Sequence, residues 1–282
     1  MGDSMPTQGK SLIGFMDEAE AISYLQNFCV TADPQDINAL RDMWVAARGQ
    51  LGAPIANVGH PAINPIPPSH HPYIAQLLAQ PWMQEAMRGP LLGSQFAMVD
   101  INSLLAFQFS VDAERSGHHC GAFDNPPNLD QLFQACLPLA LSNDPVRMYP
   151  GPNSMLITSR SLNFQTTLQG FMHGAFVGMQ VGYTLPLVHV VRLNGRCYLH
   201  NGFHRTYGAA IAGATAVPCV FRDVPDAMSA GIRPGTFQLP LMESADPPTL
   251  AHLIGPQAYT VQLRAFTRTI HVSWADYVTP AE

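Results

Sequence analysis

Apolar positions along the chain switch between a helical period and an extended one, and the switches divide it into segments. In DEAEAISYLQNF (17–28), Ala21, Ile22, Leu25 and Phe28 recur at helical spacing behind an acidic first turn, which predicts an amphipathic helix. DPQDINALRDMWVAARG (33–49) predicts a second, with Asp33 as N-cap, Pro34 at the first helical position and Gly49 as the stop. GHPAINPIPPSHHP (59–72) is too rich in proline for regular structure, so His70 and His71 are expected on a loop surface. YIAQLLAQPWMQEAM (73–87) reads as helix interrupted at Pro81.

The pattern then becomes extended. QFAMVDI (95–101) has the β-branched and apolar content of a strand, and LLAFQFSVDAER (104–115) is expected to continue from it. Residues 116–185 mix Gly, Asn and Pro, which predicts a long irregular insertion with short helical pieces, used as a lid or a binding wall. Within it, LQGFMHGAFVGMQVG (168–182) is expected as a packing helix. AYTVQLRAFTRTIHVSWADY (258–277) alternates well enough for one or two late strands.

The most informative stretch is PLVHVVRLNGRCYLHNGFHRTYGAAIAGATAVPCVF (186–221). LVHVVRL is strand-like, Asn194-Gly195 supplies both positive-φ positions of a type I′ turn, and RCYLH returns antiparallel. Asn201-Gly202 breaks that strand, FHRTYGAAIA forms a helix stopped by Gly213, and AVPCVF forms another strand. The expected fold is α+β, a single domain over 1–282. It comprises a flexible lead (1–14), a mainly helical part (15–94), a mixed-sheet core (95–222) with the insertion 116–185, and a C-terminal extension (223–282).

This order puts the first backbone N–H groups of a helix, and the positive end of its dipole, beside a His-Arg pair. Arg205 offers a planar fork to two phosphate oxygens, and His204 can donate a hydrogen bond or act as acid or base. Gly202 leaves room for an anion to approach the backbone. Asn201, Gly202, His204, Arg205 and Thr206 are therefore the expected phosphate contacts.

Composition narrows the chemistry. Charged residues are only 12%, and 14 basic against 20 acidic residues give a net charge of −6, which argues against a broad basic face for polyanions but permits a local cleft. Lys10 is the one lysine and lies in the expected flexible lead, so an imine-forming mechanism lacks a candidate. GKS (9–11) lacks the upstream glycine of a phosphate-binding P-loop, because Ser4 stands there. Five cysteines without C-x-x-C spacing disfavour a disulfide framework or structural zinc, and adjacent His118, His119 and Cys120 are poorly spaced for one tetrahedral ion, so no metal site is expected. Without a long apolar run or secretory leader, the chain is expected to be soluble and cytoplasmic, with no membrane partner.

YLHNGFHR, AAIAG and AVPCVF resemble the core of the ParB/sulfiredoxin-like superfamily, whose members run from a strand into Gly-x-His-Arg or Gly-Glu-Arg-Arg at a helix start, then into a glycine and a Val-Pro strand. MVDINSLLAFQFSVDAER is similar to the family's opening strand and loop. The resemblance implies that Gly202, His204 and Arg205 contact a phosphate of a nucleotide or nucleic acid. Phe203 stands where sulfiredoxins carry their reactive cysteine, and neither Glu-Arg-Arg nor a helix-turn-helix is visible, so the specific chemistries of those two branches are not expected.

Three functions remain open. One is a hydrolase acting on DNA, a base-excising glycosylase or a nuclease, in a context such as phage defence that the resemblance allows. Asp100, Asp112 or Glu114 would activate water and His204 would serve as acid or base. A second is an NTP-dependent small-molecule phosphotransferase or NTPase, with Asp100 or Asp112 as base or Mg²⁺ ligand. The third is a non-catalytic nucleotide-binding module.

Overall fold

The computed structural model describes residues 5–52, 58–120, 123–141, 146–159, 164–173, 176–232, 235–266 and 268–275, and the chain is α+β. Its strands are β1 (Thr7–Ser11), β2 (Ile63–Pro65), β3 (Gln95–Asp100), β4 (Ser110–Asp112), β5 (Arg147–Gly151), β6 (Ser154–Ser159), β7 (Phe164–His173), β8 (Phe176–Tyr183), β9 (His189–Leu193), β10 (Arg196–Asn201), β11 (Ala216–Asp223), β12 (Tyr259–Leu263) and β13 (Arg268–Ser273). Its helices are α1 (Glu18–Phe28), α2 (Ile37–Gly49), α3 (His71–Leu78), α4 (Pro81–Arg88), α5 (Ala113–Cys120), α6 (Leu129–Cys136), α7 (Phe203–Ile211), α8 (Ala227–Ala230), α9 (Leu239–Met242) and α10 (Leu250–Ile254).

Two compact units replace the expected single domain. Met1–Leu139 joins Pro186–Arg264 in the first, and Ala140–Leu185 joins Ala265–Glu282 in the second. The insertion is therefore shorter than 116–185, because α5 and α6 belong to the first unit, and the chain's last residues complete the inserted piece through β13 pairing with β6.

The first unit is built on a five-stranded sheet of order β10-β9-β11-β3-β2. Its neighbours are antiparallel except β9 and β11. Asn194 (φ 51°) and Gly195 (φ 80°) form the expected tight turn between β9 and β10. Val190, Leu199, Val217 and Cys219 from these strands are buried with Phe203 and Tyr207 of α7 in one core. Burial of such side chains contributes on the order of 1.5–3 kcal/mol each.

Residues 7–11 correct the expectation of a flexible lead. They form β1 between β12 and β4, followed directly by the fully buried Leu12 and Ile13. Thr-Gln-Gly-Lys-Ser shows no strand pattern because its ordering comes from backbone pairing on both sides, with Gly9 lying where a side chain would run into Leu263. Lys10 is consequently ordered, its Nζ donating to Thr260 Oγ1 at 2.9 Å.

Helix α1 starts as predicted, with Asp17 accepting from the Glu20 amide at 2.8 Å. Helix α2 starts later, because Asp36 rather than Asp33 caps it. The Asp36 carboxylate takes the amides of Asn38 and Ala39, while Asp33 closes a preceding turn onto the Gln35 amide. Pro81 ends one helix and opens the next at its first position.

The stretch after β3 is not one continuing strand. Leu105 bonds with the backbone of Cys197 and Leu199, β4 is short, and α5 begins at Ala113. The expected packing helix at 168–182 is instead β7 and β8, with residues 174–175 outside the described residues. Gly170, Gly174, Gly178 and Gly182 explain the outcome: each costs a helix about 1 kcal/mol, while the intervening Phe and Val residues favour extended backbone. The second unit also holds a three-stranded sheet of order β13-β6-β5. Both late strands therefore exist but join different sheets, β12 with β1 and β13 with β6. Among the described residues no helix is long and apolar enough to cross a membrane.

Candidate functional site

The anion site expected from the sequence falls at the start of α7, where β10 ends in a bulge opposite His189 and the chain turns at Gly202. Gly202 adopts φ 91° and ψ 21°, and no side chain caps the helix from that position. A Cβ there would lie 2.8 Å from both Cα and Cγ2 of Val188, so close backbone packing already requires glycine, whatever else approaches the turn. The Gly202 amide donates to Asn201 Oδ1 at 2.8 Å, so Asn201 holds the turn through its own side chain.

Thr206 departs from expectation. Its side chain is fully buried and its hydroxyl donates to the Gly202 carbonyl at 3.0 Å, the same oxygen that accepts the Thr206 amide at 2.9 Å. Inside the helix and so engaged, it is a structural residue rather than a phosphate contact. Phe203 also turns inward, edge-on to Phe107 at 5.6 Å between ring centres. His204 and Arg205 remain half-buried in the first turn, on the helix end that favours negative charge.

Asp100 lies away from this turn. Asp100 ends β3 opposite Ala216, whereas Gly202 packs on Val188, whose carbonyl accepts from Val220. Residues 216 and 220 are four positions apart along β11, about 13 Å of extended chain. Asp100 accepts instead from the Asn102 amide at 2.9 Å, a local turn contact. Asp112 uses both oxygens: Oδ2 takes the Thr7 hydroxyl at 2.8 Å and Oδ1 the Arg115 amide at 2.9 Å. Glu114 is exposed and accepts from the Gln8 amide at 3.1 Å. Asp112 and Glu114 thus fasten β1 to α5, a helix that packs against α7.

Sequence reasoning missed a histidine pair on β9 and β10. The rings of His189 and His200 lie 4.8 Å apart at 65°, and His200 Nδ1 is 2.9 Å from the Ala230 carbonyl, which assigns its proton to Nδ1. His189 is buried with no hydrogen-bond partner for Nε2 among the described residues, and burial, followed by the neighbouring His200 and Arg222, pushes its pKa down to about 3. It is neutral at physiological pH. Tyr198 Oη and Arg222 Nε are likewise buried without partners among the described residues, and strand register places both residues on the sheet face of His189. The alternation of LVHVV and RCYLH carried this signal, since it assigns both histidines to one face.

His70, expected on a loop surface, is only 9% exposed and stacks on Phe133 at 4.3 Å. Burial raises the thiol pKa values of Cys29 and Cys197 to about 12 and about 11, so neither is a thiolate nucleophile at neutral pH. Among the described residues no three His, Cys, Asp or Glu side chains are grouped to hold a metal ion. The side chains of His118, His119 and Cys120 lie outside the described residues.

No protein-family model, curated protein or solved structure matches the chain.

Proposed function

We propose that the protein is an enzyme acting on DNA, a base-excising glycosylase or nuclease, that holds a backbone phosphate at the start of α7. The carrying observation is the α7 N-terminus itself, which has a left-handed glycine at its cap, no side-chain cap, and His204 and Arg205 in its first turn. In this reading the helix dipole and Arg205 bind the phosphate, and His204 supplies or removes a proton. The ParB/sulfiredoxin-like resemblance of the same residues supports the assignment. Glu114 is the carboxylate best suited to activate water, since Asp112 has both oxygens engaged and Asp100 sits at the far end of β11's pairing. The test is mass spectrometry of small molecules released from phage and plasmid DNA, with ATP and CTP present. A free base or nucleotide is expected from the wild type and none from the His204→Ala, Arg205→Ala double variant.

The net charge of −6 favours a second reading, in which the same turn holds the phosphates of a free nucleotide. As a transferase this protein would need Mg²⁺, and the described carboxylates fit that ion poorly, because Asp100 and Asp112 do not share a site. Nucleoside diphosphate formed with DNA intact would establish the transferase or NTPase reading. Nucleotide bound without turnover would establish the binding module.

A further inference from the structure

We propose that Ser69, His70 and Asp130 form a nucleophilic relay that takes an acyl group from an ester onto the Ser69 oxygen. Ser69 Oγ lies 3.0 Å from His70 Nδ1, and His70 Nε2 lies 3.0 Å from Asp130 Oδ1. An ionised carboxylate only accepts, so Nε2 carries the ring proton and Nδ1 is left as the acceptor for the Ser69 hydroxyl. This is the order of a serine–histidine–aspartate triad with the two ring nitrogens exchanged, and such sites are recognised by geometry and role rather than by spacing.

The surroundings hold the relay in place while leaving its nucleophile accessible. Ser69 and His70 lie in a 3-10 turn (Pro68–His70) that runs directly into α3, and Asp130 lies in the first turn of α6, whose start is fixed by the Asn128–Gln131 capping box. Phe133 stacks on the His70 ring at 21° between planes. Tyr73 ties the two helices together, edge-on to Phe133 and donating to the Leu137 carbonyl at 2.9 Å. Ser69 itself is exposed, so an ester can reach it.

In the first step Ser69 Oγ bonds to the ester carbonyl carbon while its proton passes to His70 Nδ1. The ester C–O bond then breaks as His70 returns that proton to the leaving alkoxide, giving acyl-Ser69 and an alcohol. Water, deprotonated by the same nitrogen, attacks the acyl carbon and releases the carboxylic acid and free Ser69. Asp130 is a positioning residue, and its 82% exposed side chain acts through water-screened contact. The relay shares no residue with the α7 turn, so either can fail without the other.

The experiment treats the full chain with p-nitrophenyl acetate and, separately, with a fluorophosphonate, followed by peptide mapping. A single fluorophosphonate adduct on Ser69 is expected, with adduct and ester turnover both lost in Ser69→Ala, an exposed substitution whose folding is checked by circular dichroism. His70→Gln should lower acylation about 100-fold or more. Asp130→Asn should lower kcat about 10-fold at unchanged KM, with recovery in Asp130→Glu. Absence of an adduct, an adduct on another residue, or wild-type turnover by Ser69→Ala overturns the proposal.

Discussion

Gly202 and Val188 touch through their backbones: a Cβ on the glycine would stand 2.8 Å from the valine Cα. Together with φ 91°, this predicts that Gly202→Ala is costly on two counts, strain at positive φ and displacement of β9's lead-in residue. A loss of about 2–4 kcal/mol is expected, read as a lower urea midpoint at unchanged slope.

The hydroxyl of Thr206 serves the fold. Thr206→Val removes one buried hydrogen bond to the Gly202 carbonyl, which keeps its bond from the Thr206 amide. Stability should fall by about 1 kcal/mol with DNA affinity within about twofold of wild type. Calorimetric unfolding and a binding titration on the same preparation check both halves.

Acid should weaken the fold through His189. Its folded pKa of about 3 lies below the ordinary 6.5, so between those values the unfolded chain binds a proton that the native chain refuses. Stability from this residue is complete above about pH 6.5 and falls as pH drops, by about 1.4 kcal/mol per unit. Burial lowers the pKa of His252 too, and adds in the same direction. Unfolding free energies from urea titrations at pH 7 and pH 5 should differ by about 2 kcal/mol more in the wild type than in His189→Leu. Equal differences would mean that His189 is not buried neutral.

Asp100 lies away from the α7 turn and contacts its own loop. Asp100→Asn keeps an oxygen for the Asn102 amide and should retain DNA turnover in the released-product assay. Loss of turnover with an intact fold would return Asp100 to the site.

Much of the core was legible because short-range signals agree with one another there. Asn194-Gly195 dictates its turn, Pro81 and Gly202 mark helix starts, and the apolar strands 189–193 and 216–223 need burial on a sheet. Strand β1 was not legible, because Thr7–Ser11 is held by partners more than a hundred residues away rather than by its own pattern. Asp112 illustrates the same limit for the site. A carboxylate beside a strand end reads as available chemistry, and only tertiary structure reveals that Thr7 and the Arg115 amide already occupy it. His70 looked like a loop residue among prolines, yet Phe133 and Asp130, 60 residues or more along the chain, bury and orient it.

The most direct test of the phosphate assignment is the salt dependence of binding to a fluorescent DNA duplex, compared between wild type and Arg205→Ala. A phosphate contact at Arg205 predicts weaker binding of every sequence in the variant and a log–log salt slope reduced by about 1. Identical affinity and identical slope would contradict a DNA phosphate at the start of α7.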